Sequence, residues 1–109
     1  MKIWLDDDDN RPMPDGYERA YSVRDAKNLI ITAEIIGDTI EELNLDNDLG
    51  IYSGDGGDGH NLLDWLVETE RFYPVVLHTM NPVERMNMER TIKRFWKWGV
   101  IYGTYRCLG

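Results

Sequence analysis

Short apolar runs alternate with helically spaced ones along most of the chain. Ile3-Trp4-Leu5 is the first run, and it ends at four consecutive aspartates, Asp6 to Asp9. A buried strand emptying into a loop has this pattern. Asn10-Arg11-Pro12-Met13-Pro14-Asp15-Gly16 follows, a segment of turn chemistry in which two prolines fix φ and Asp-Gly permits a tight turn. Residues 17–21 read as a second short strand. Ser22 with Asp25 three positions on resembles a capping box. Ala26, Leu29, Ile30, Ala33 and Ile36 then recur at helical spacing, and Gly37 suits the left-handed residue that ends a helix.

Residues 40–45 predict the next strand, which closes on Asp46-Asn47-Asp48. A glycine- and aspartate-rich loop runs to Gly59, and His60 or Asn61 opens a helix carrying Leu62, Leu63, Trp65, Leu66 and Val67. Residues 74–77 are a third buried-strand candidate, ending at His78-Thr79. Asn81 has the character of an N-cap with Pro82 at the first helical position. The helix to about Trp96 is expected to bury Met88, Ile92, Phe95 and Trp96. Gly99 stops it, and residues 100–105 supply a last strand.

Strands alternating with helices imply an α/β fold: a mainly parallel sheet of about five short strands between helical layers, three layers in all. At 109 residues and 42% apolar composition, one core and a single domain over residues 1–109 are expected. No run approaches the roughly 20 apolar residues of a membrane helix. Met1-Lys2 leads straight into the first strand without signal-peptide character. The single cysteine, Cys107, permits neither an internal disulfide nor a cysteine-based zinc site. A cytoplasmic protein with no membrane partner is the expectation.

The net charge of −8 is unevenly spread: residues 1–70 hold 18 acidic and 5 basic groups, residues 71–109 hold 2 and 7. Such an acidic N-terminal part argues against a long duplex nucleic acid, whose affinity comes mainly from phosphate neutralisation. A small phosphate ligand held by a metal and a few arginines stays open. Most of these charges only solvate the surface.

Three strand-like runs end in polar residues that a core does not explain: Asp6-Asp7, Asp46-Asn47-Asp48 and His78-Thr79. Ligands of open parallel sheets bind at the carboxyl ends of the strands. Adjacent parallel strands would bring the first two clusters close together, where carboxylates repel unless they share a cation or keep a proton. Magnesium suits such a place, because it takes oxygen ligands and keeps waters for a phosphate. Asp8 and Asp9 are surplus to that purpose and read as loop caps. His78 can serve as acid or base near neutral pH. Arg85, in the first turn of the last helix, can grip a phosphate beside the N-terminal amides.

Two motifs carry less than they promise. Gly54-Asp55-Gly56-Gly57-Asp58-Gly59 matches G-x-G-x-x-G, but no strand leads directly into it and its aspartates would repel a pyrophosphate. An EF-hand loop counted from Asp46 or Asp48 puts Gly57 or Gly59 where a bidentate glutamate belongs.

Met1-Lys2-Ile3-Trp4-Leu5-Asp6-Asp7 with Arg11-Pro12, Leu45-Asp46-Asn47-Asp48-Leu49-Gly50, and His78-Thr79-Met80-Asn81-Pro82-Val83 with Arg85 and Asn87-Met88 together resemble the cyclic-phosphate processing receiver-like domains. The resemblance runs from residue 1 to about 95, with three motifs in order. It implies a shortened relative of the response-regulator receiver, with a flavodoxin-like sheet. By that resemblance Asp6 and Asp7 match the metal-binding acidic pair, Asp46 the strand-end aspartate that receivers phosphorylate, and Thr79 the receiver hydroxyl. The receiver lysine has no match here, which disfavours phosphorelay. The family commonly reads Leu-Asp-His-Asp where this chain has Asn47, and the first loop is longer, with Asp8-Asp9-Asn10 before Arg11.

The resemblance implies processing or recognition of cyclic phosphates, in a family associated with RNA repair and phage or defence genes. The leading expectation is metal-dependent hydrolysis of a cyclic phosphate, such as an RNA 2′,3′-cyclic end or a cyclic nucleotide. Asp6, Asp7, Asp46 and Asp48 would hold Mg2+ or Mn2+. His78, Thr79 and Arg85 would be catalytic, and Arg11, Asn47, Asn81 and Arg85 would bind phosphate. The alternative is a non-catalytic module that binds a cyclic nucleotide or a protein partner, for which Asn47 is the best support.

Overall fold

In the computed structural model, residues 1–96 are described. The apolar runs become parallel strands because each offers one face to the same apolar layer. The elements are β1 (Lys2–Leu5), β2 (Tyr17–Ala20), α1 (Val23–Ile36), β3 (Glu42–Leu45), a 3-10 turn (Gly50–Gly54), α2 (Gly59–Glu68), β4 (Val75–Leu77) and α3 (Pro82–Phe95). The sheet order is β2-β1-β3-β4 and every pairing is parallel. The receiver-like α/β fold is therefore present, with four described strands; the strand expected at 100–105 lies outside the described residues.

Register sorts the side chains. Ile3, Leu43 and Val75 form one cross-strand row, and Leu5, Leu45 and Leu77 the next. Both rows are buried and belong to one core with Ala26 and Ile30 of α1, Leu62 and Leu66 of α2, and Met88 and Ile92 of α3. Burying a side chain of this kind is worth about 1.5–3 kcal/mol, so this layer supplies most of the drive to fold. The intervening row, Arg19-Trp4-Asn44-Val76, belongs to the opposite face.

Caps fix the helix starts. Ser22 accepts from the Asp25 N–H, and Gly37, at φ 78°, donates back to Ala33 and Glu34 to close α1. Asn81 accepts from Val83 and Glu84 at the start of α3, with Pro82 beside it. The second helix begins earlier than its apolar spacing suggests: Asp58 is its N-cap, and the Asn61 side chain accepts from the Asp58 N–H at 2.9 Å.

The burial of Phe95 is a correction. It is 36% exposed, whereas Trp96 is 3% exposed. The helix ends at Phe95, and Trp96 leaves it to turn inward, its Nε1 donating to the Tyr73 carbonyl at 2.8 Å. Ile36 likewise rotates off the buried stripe of α1.

Candidate functional site

The ladder continues one residue past each strand. Asp6 N donates to Ala20 O at 3.0 Å, Asp46 N to Leu5 O at 2.9 Å, and His78 N to Leu45 O at 2.9 Å. The alternation of side chains therefore carries Asp6, Asp46 and His78 to one face, that of Trp4 and Asn44. All three are buried, and their ligand atoms lie within 4.8 Å of one another.

A dense set of bonds holds this cluster. Arg11 Nη1 donates to Asp6 Oδ2 and to Asp46 Oδ2, each at 3.0 Å. Asp6 Oδ1 accepts from the Asp8 N–H, and Asp46 Oδ1 from the Asn47 N–H. His78 lies between Asp6 Oδ2 at 3.1 Å from Nε2 and Asn44 Oδ1 at 2.6 Å from Nδ1. Asn44 Nδ2 faces Glu42 and the Tyr17 hydroxyl, which orients its oxygen toward the imidazole. Nδ1 of His78 thus faces the Asn44 amide oxygen and Nε2 faces the Asp6 carboxylate. Trp4 stacks flat on the imidazole, centroids 4.0 Å apart and planes 8° apart. The Trp4 indole N–H is buried without a hydrogen-bond partner, so the ring serves here by its face.

Above the cluster lies a cavity of about 490 Å³, lined by Asp7, Asp8, Arg11, Asp46, Asp48, Gly50, Thr79, Met80, Asn81 and Glu84. Five carboxylates face it against a single arginine. The titration directions follow this imbalance. Burial raises Asp46, reinforced by Asp6 nearby, and outweighs the Asn47 hydrogen bond and Arg11. Burial also raises Asp7, with Asp6, Asp48 and Asp8 adding repulsion. Asp6 goes the other way: burial pushes it up, but the His78 hydrogen bond, the Asp8 N–H and Arg11 together bring it below its ordinary value. The best-satisfied carboxylate is the deepest one, and those on the cavity wall are short of positive charge.

The expected site residues divide. Asp7, Asp46, Asp48, Arg11, Thr79 and Asn81 reach the cavity wall. Asp48 is exposed there and accepts from the Gly50 N–H at 3.0 Å. Asp6 and His78 lie beneath the wall, fully and almost fully buried. Asn47 is directed elsewhere: its Oδ1 accepts from the His60 N–H at 2.9 Å and its carbonyl from the Gly59 N–H at 2.8 Å, tying the strand end to α2. A Cβ on Gly59 would overlap the Asp46 carbonyl, so this tie requires glycine. Arg85 lies in the first turn of α3 without lining the cavity.

Sequence reasoning missed Asn44, Trp4, Gly50 and Arg19. A lone asparagine in an apolar strand was the available signal for Asn44. A Cβ on Gly50 would approach Asp7 Oδ2 to 2.7 Å, so glycine makes room for that carboxylate. Arg19 donates to the carbonyls of Asp6 and Asp8 at 3.3 Å and braces the acidic loop. The aspartates of the glycine-rich segment are engaged structurally: Asp55 accepts from Ser22 and pairs with Arg24, and Asp58 accepts from the Leu49 N–H.

The four described parallel strands, whose ends converge on buried carboxylates, have the arrangement of a receiver-like domain. The family model for the cyclic-phosphate processing receiver domain matches residues 1–94, and the chain belongs to that family. No curated protein matches it. No described helix is long and apolar enough to cross a membrane.

The donor set could hold a metal ion. Two buried carboxylates and an imidazole stand within ligating reach of one another, and the carboxylates of Asp46 and Asp7 border the cavity.

Proposed function

We propose that the domain opens a cyclic phosphate, such as an RNA 2′,3′-cyclic end or a cyclic nucleotide, by cation-dependent hydrolysis. The observation that supports this reading is the lining of the cavity, five carboxylates against one arginine, a balance that disfavours a phosphate unless a cation is bound with it. Asp46 and Asp7, with Asp6 and Asp48 in support, would hold Mg2+ or Mn2+. The ion would supply polarisation of the phosphate and a more acidic water.

The chain's own residues do the rest. Arg11 and Thr79 bind the phosphoryl oxygens from the wall, and the capped start of α3 at Asn81 borders them. Water attacks phosphorus, one ring P–O bond breaks, and the leaving oxygen takes a proton, so that the product is a monoester when the substrate is a 2′,3′-cyclic end. His78 acts through Asp6 as a positioning residue, because it lies under the wall. Arg85 would enter only by reaching toward the ligand from the first turn of α3. A cytoplasmic setting and a role in RNA repair or phage conflict accord with this chemistry.

Phosphorus NMR of a 2′,3′-cyclic mononucleotide, a cyclic-phosphate RNA end and a cyclic dinucleotide, each with and without Mg2+, tests it. Cation-dependent loss of one cyclic signal with growth of a product signal is expected. A binding-only module is the second reading, favoured by the engagement of Asn47 with α2 at the position of the family histidine. Signals that shift but persist through long incubation would establish that reading instead.

A further inference from the structure

We propose that Arg11 is a tethered stand-in for the cation, which a divalent ion displaces from the carboxylates and so releases to the phosphate. The inference rests on the cation reading above, and extends it to the order in which the pocket fills.

The contact geometry is that of a bridging point charge. A single nitrogen, Nη1, meets Oδ2 of both Asp6 and Asp46 at 3.0 Å. A guanidinium that merely paired with a carboxylate would favour the two-pronged fork, with two nitrogens on two oxygens of one partner. The Arg71–Glu34 pair in this molecule has that form, Nε and Nη2 each 2.9 Å from a different oxygen. Arg11 instead sits where two acidic groups from adjacent strands would share one ion.

The charge count agrees. Asp6 and Asp46 are buried, and the Arg11 guanidinium bridges the two carboxylates. Without Arg11 or an ion, two buried carboxylates would lack compensation, a costly arrangement. A divalent ion and a guanidinium on the same oxygens would repel strongly, since like charges this close are little screened in a partly buried site.

Arg11 also has room to move. Its side chain is 36% exposed and lines the cavity, and it is carried on the proline-containing loop between β1 and β2 rather than on a strand. Arg19 braces the backbone of that loop, so the side chain can swing while its anchor stays. The pocket then has an order: the cation enters, Arg11 leaves the carboxylates, and the guanidinium becomes available to an anion. A lone anion meets an arginine already occupied.

The test is a Mn2+ titration followed by electron paramagnetic resonance of free Mn2+, without phosphate, on the wild type, Arg11→Ala and Arg11→Lys. Roughly tenfold tighter Mn2+ binding is expected for Arg11→Ala, the size of a typical coupling between sites, with Arg11→Lys between the two. Thermal melts add a second readout: Arg11→Ala should melt below the wild type without cation and gain more from saturating Mn2+. If Arg11→Ala does not fold, Arg11→Gln removes the charge, keeps a donor and gives the same comparison. Equal or weaker Mn2+ affinity in the charge-free variant overturns the inference alone when the wild type binds Mn2+. Absence of Mn2+ binding in every form overturns it together with the cation reading.

Discussion

Where α1 meets the segment after α2, Glu34 accepts from Nε and Nη2 of Arg71 and from the Tyr73 hydroxyl, and the charges there are balanced in a way that those at the strand ends are not. One acid, one base and one neutral donor are matched, and each charge is favoured: Glu34 falls below its ordinary value through the Arg71 and Tyr73 hydrogen bonds, and Arg71 rises through Glu34. At the strand ends the directions split. Asp6 is lowered, but Asp46 and Asp7 are raised, burial being the first cause in both. In the matched cluster the acid and the base are both held in their charged forms, and Tyr73 is held neutral as a donor. The strand-end cluster keeps Asp46 and Asp7 against their preference for charge, a pattern common at functional sites.

The largest effects should come from breaking the strand-end cluster. Asp6→Ala leaves His78 and Arg11 without their shared acceptor, and a loss of about 3–5 kcal/mol is expected by urea unfolding, as for a broken buried pair. Gly59→Ala forces a Cβ into the Asp46 carbonyl and should cost about 2–4 kcal/mol through backbone displacement, with loss of cation binding measured by Mn2+ titration. Glu34→Gln, at the matched cluster, should cost only about 1 kcal/mol because both partners are partly exposed.

Asp46→Asn sharpens the contrast by its sign. The folded protein disfavours the Asp46 charge, so the variant should be more stable than the wild type without cation, by about 0.5–2 kcal/mol, and should lose the cation-induced rise in melting temperature. Stabilisation with loss of function at one residue is the mark of a site; the Glu34 variant should show neither.

The pH dependence separates the clusters most finely. Glu34 has a lowered folded pKa, so its contribution is complete above the unfolded value and lost as pH falls through the folded one. Asp46 has a raised folded pKa, so its contribution is present at low pH and lost as pH rises through the folded value. Glu34→Gln should therefore flatten the acid loss of stability, and Asp46→Asn should flatten the opposing slope. Tyr73, pushed up to about 12 by burial and by Glu34, should contribute until alkaline pH and lose that contribution between roughly 10 and 12.

Much of this architecture is written in local chemistry. Ser22, Gly37, Asn81 and Pro82 mark helix ends because each suits or satisfies backbone next to it in sequence, and all four stand where that chemistry puts them. The convergence of Asp6, Asp46 and His78 follows from strand ends and a parallel register. What stayed hidden depends on distant partners. Asn44 looks like a misplaced polar residue until His78, 34 positions away, comes beside it. Asn47 sits in the motif yet turns its oxygen to α2, because Gly59 lets that helix approach the strand end. Phe95 and Trp96 both suit a buried stripe by spacing, but the helix ends between them and only Trp96 turns inward. The bridging of two carboxylates by Arg11 needs the folded loop and has no periodic signature.

If the acidic cavity accepts a phosphate only after a cation, binding must depend on Mg2+ from the outset. Isothermal titration calorimetry of a 2′,3′-cyclic mononucleotide into the wild-type protein, once in EDTA and once in Mg2+, tests this directly. Heat of binding or turnover in Mg2+ and none in EDTA is the predicted result. Equal binding in the two conditions would contradict it, and would mean that Arg11 and Thr79 receive the anion without help.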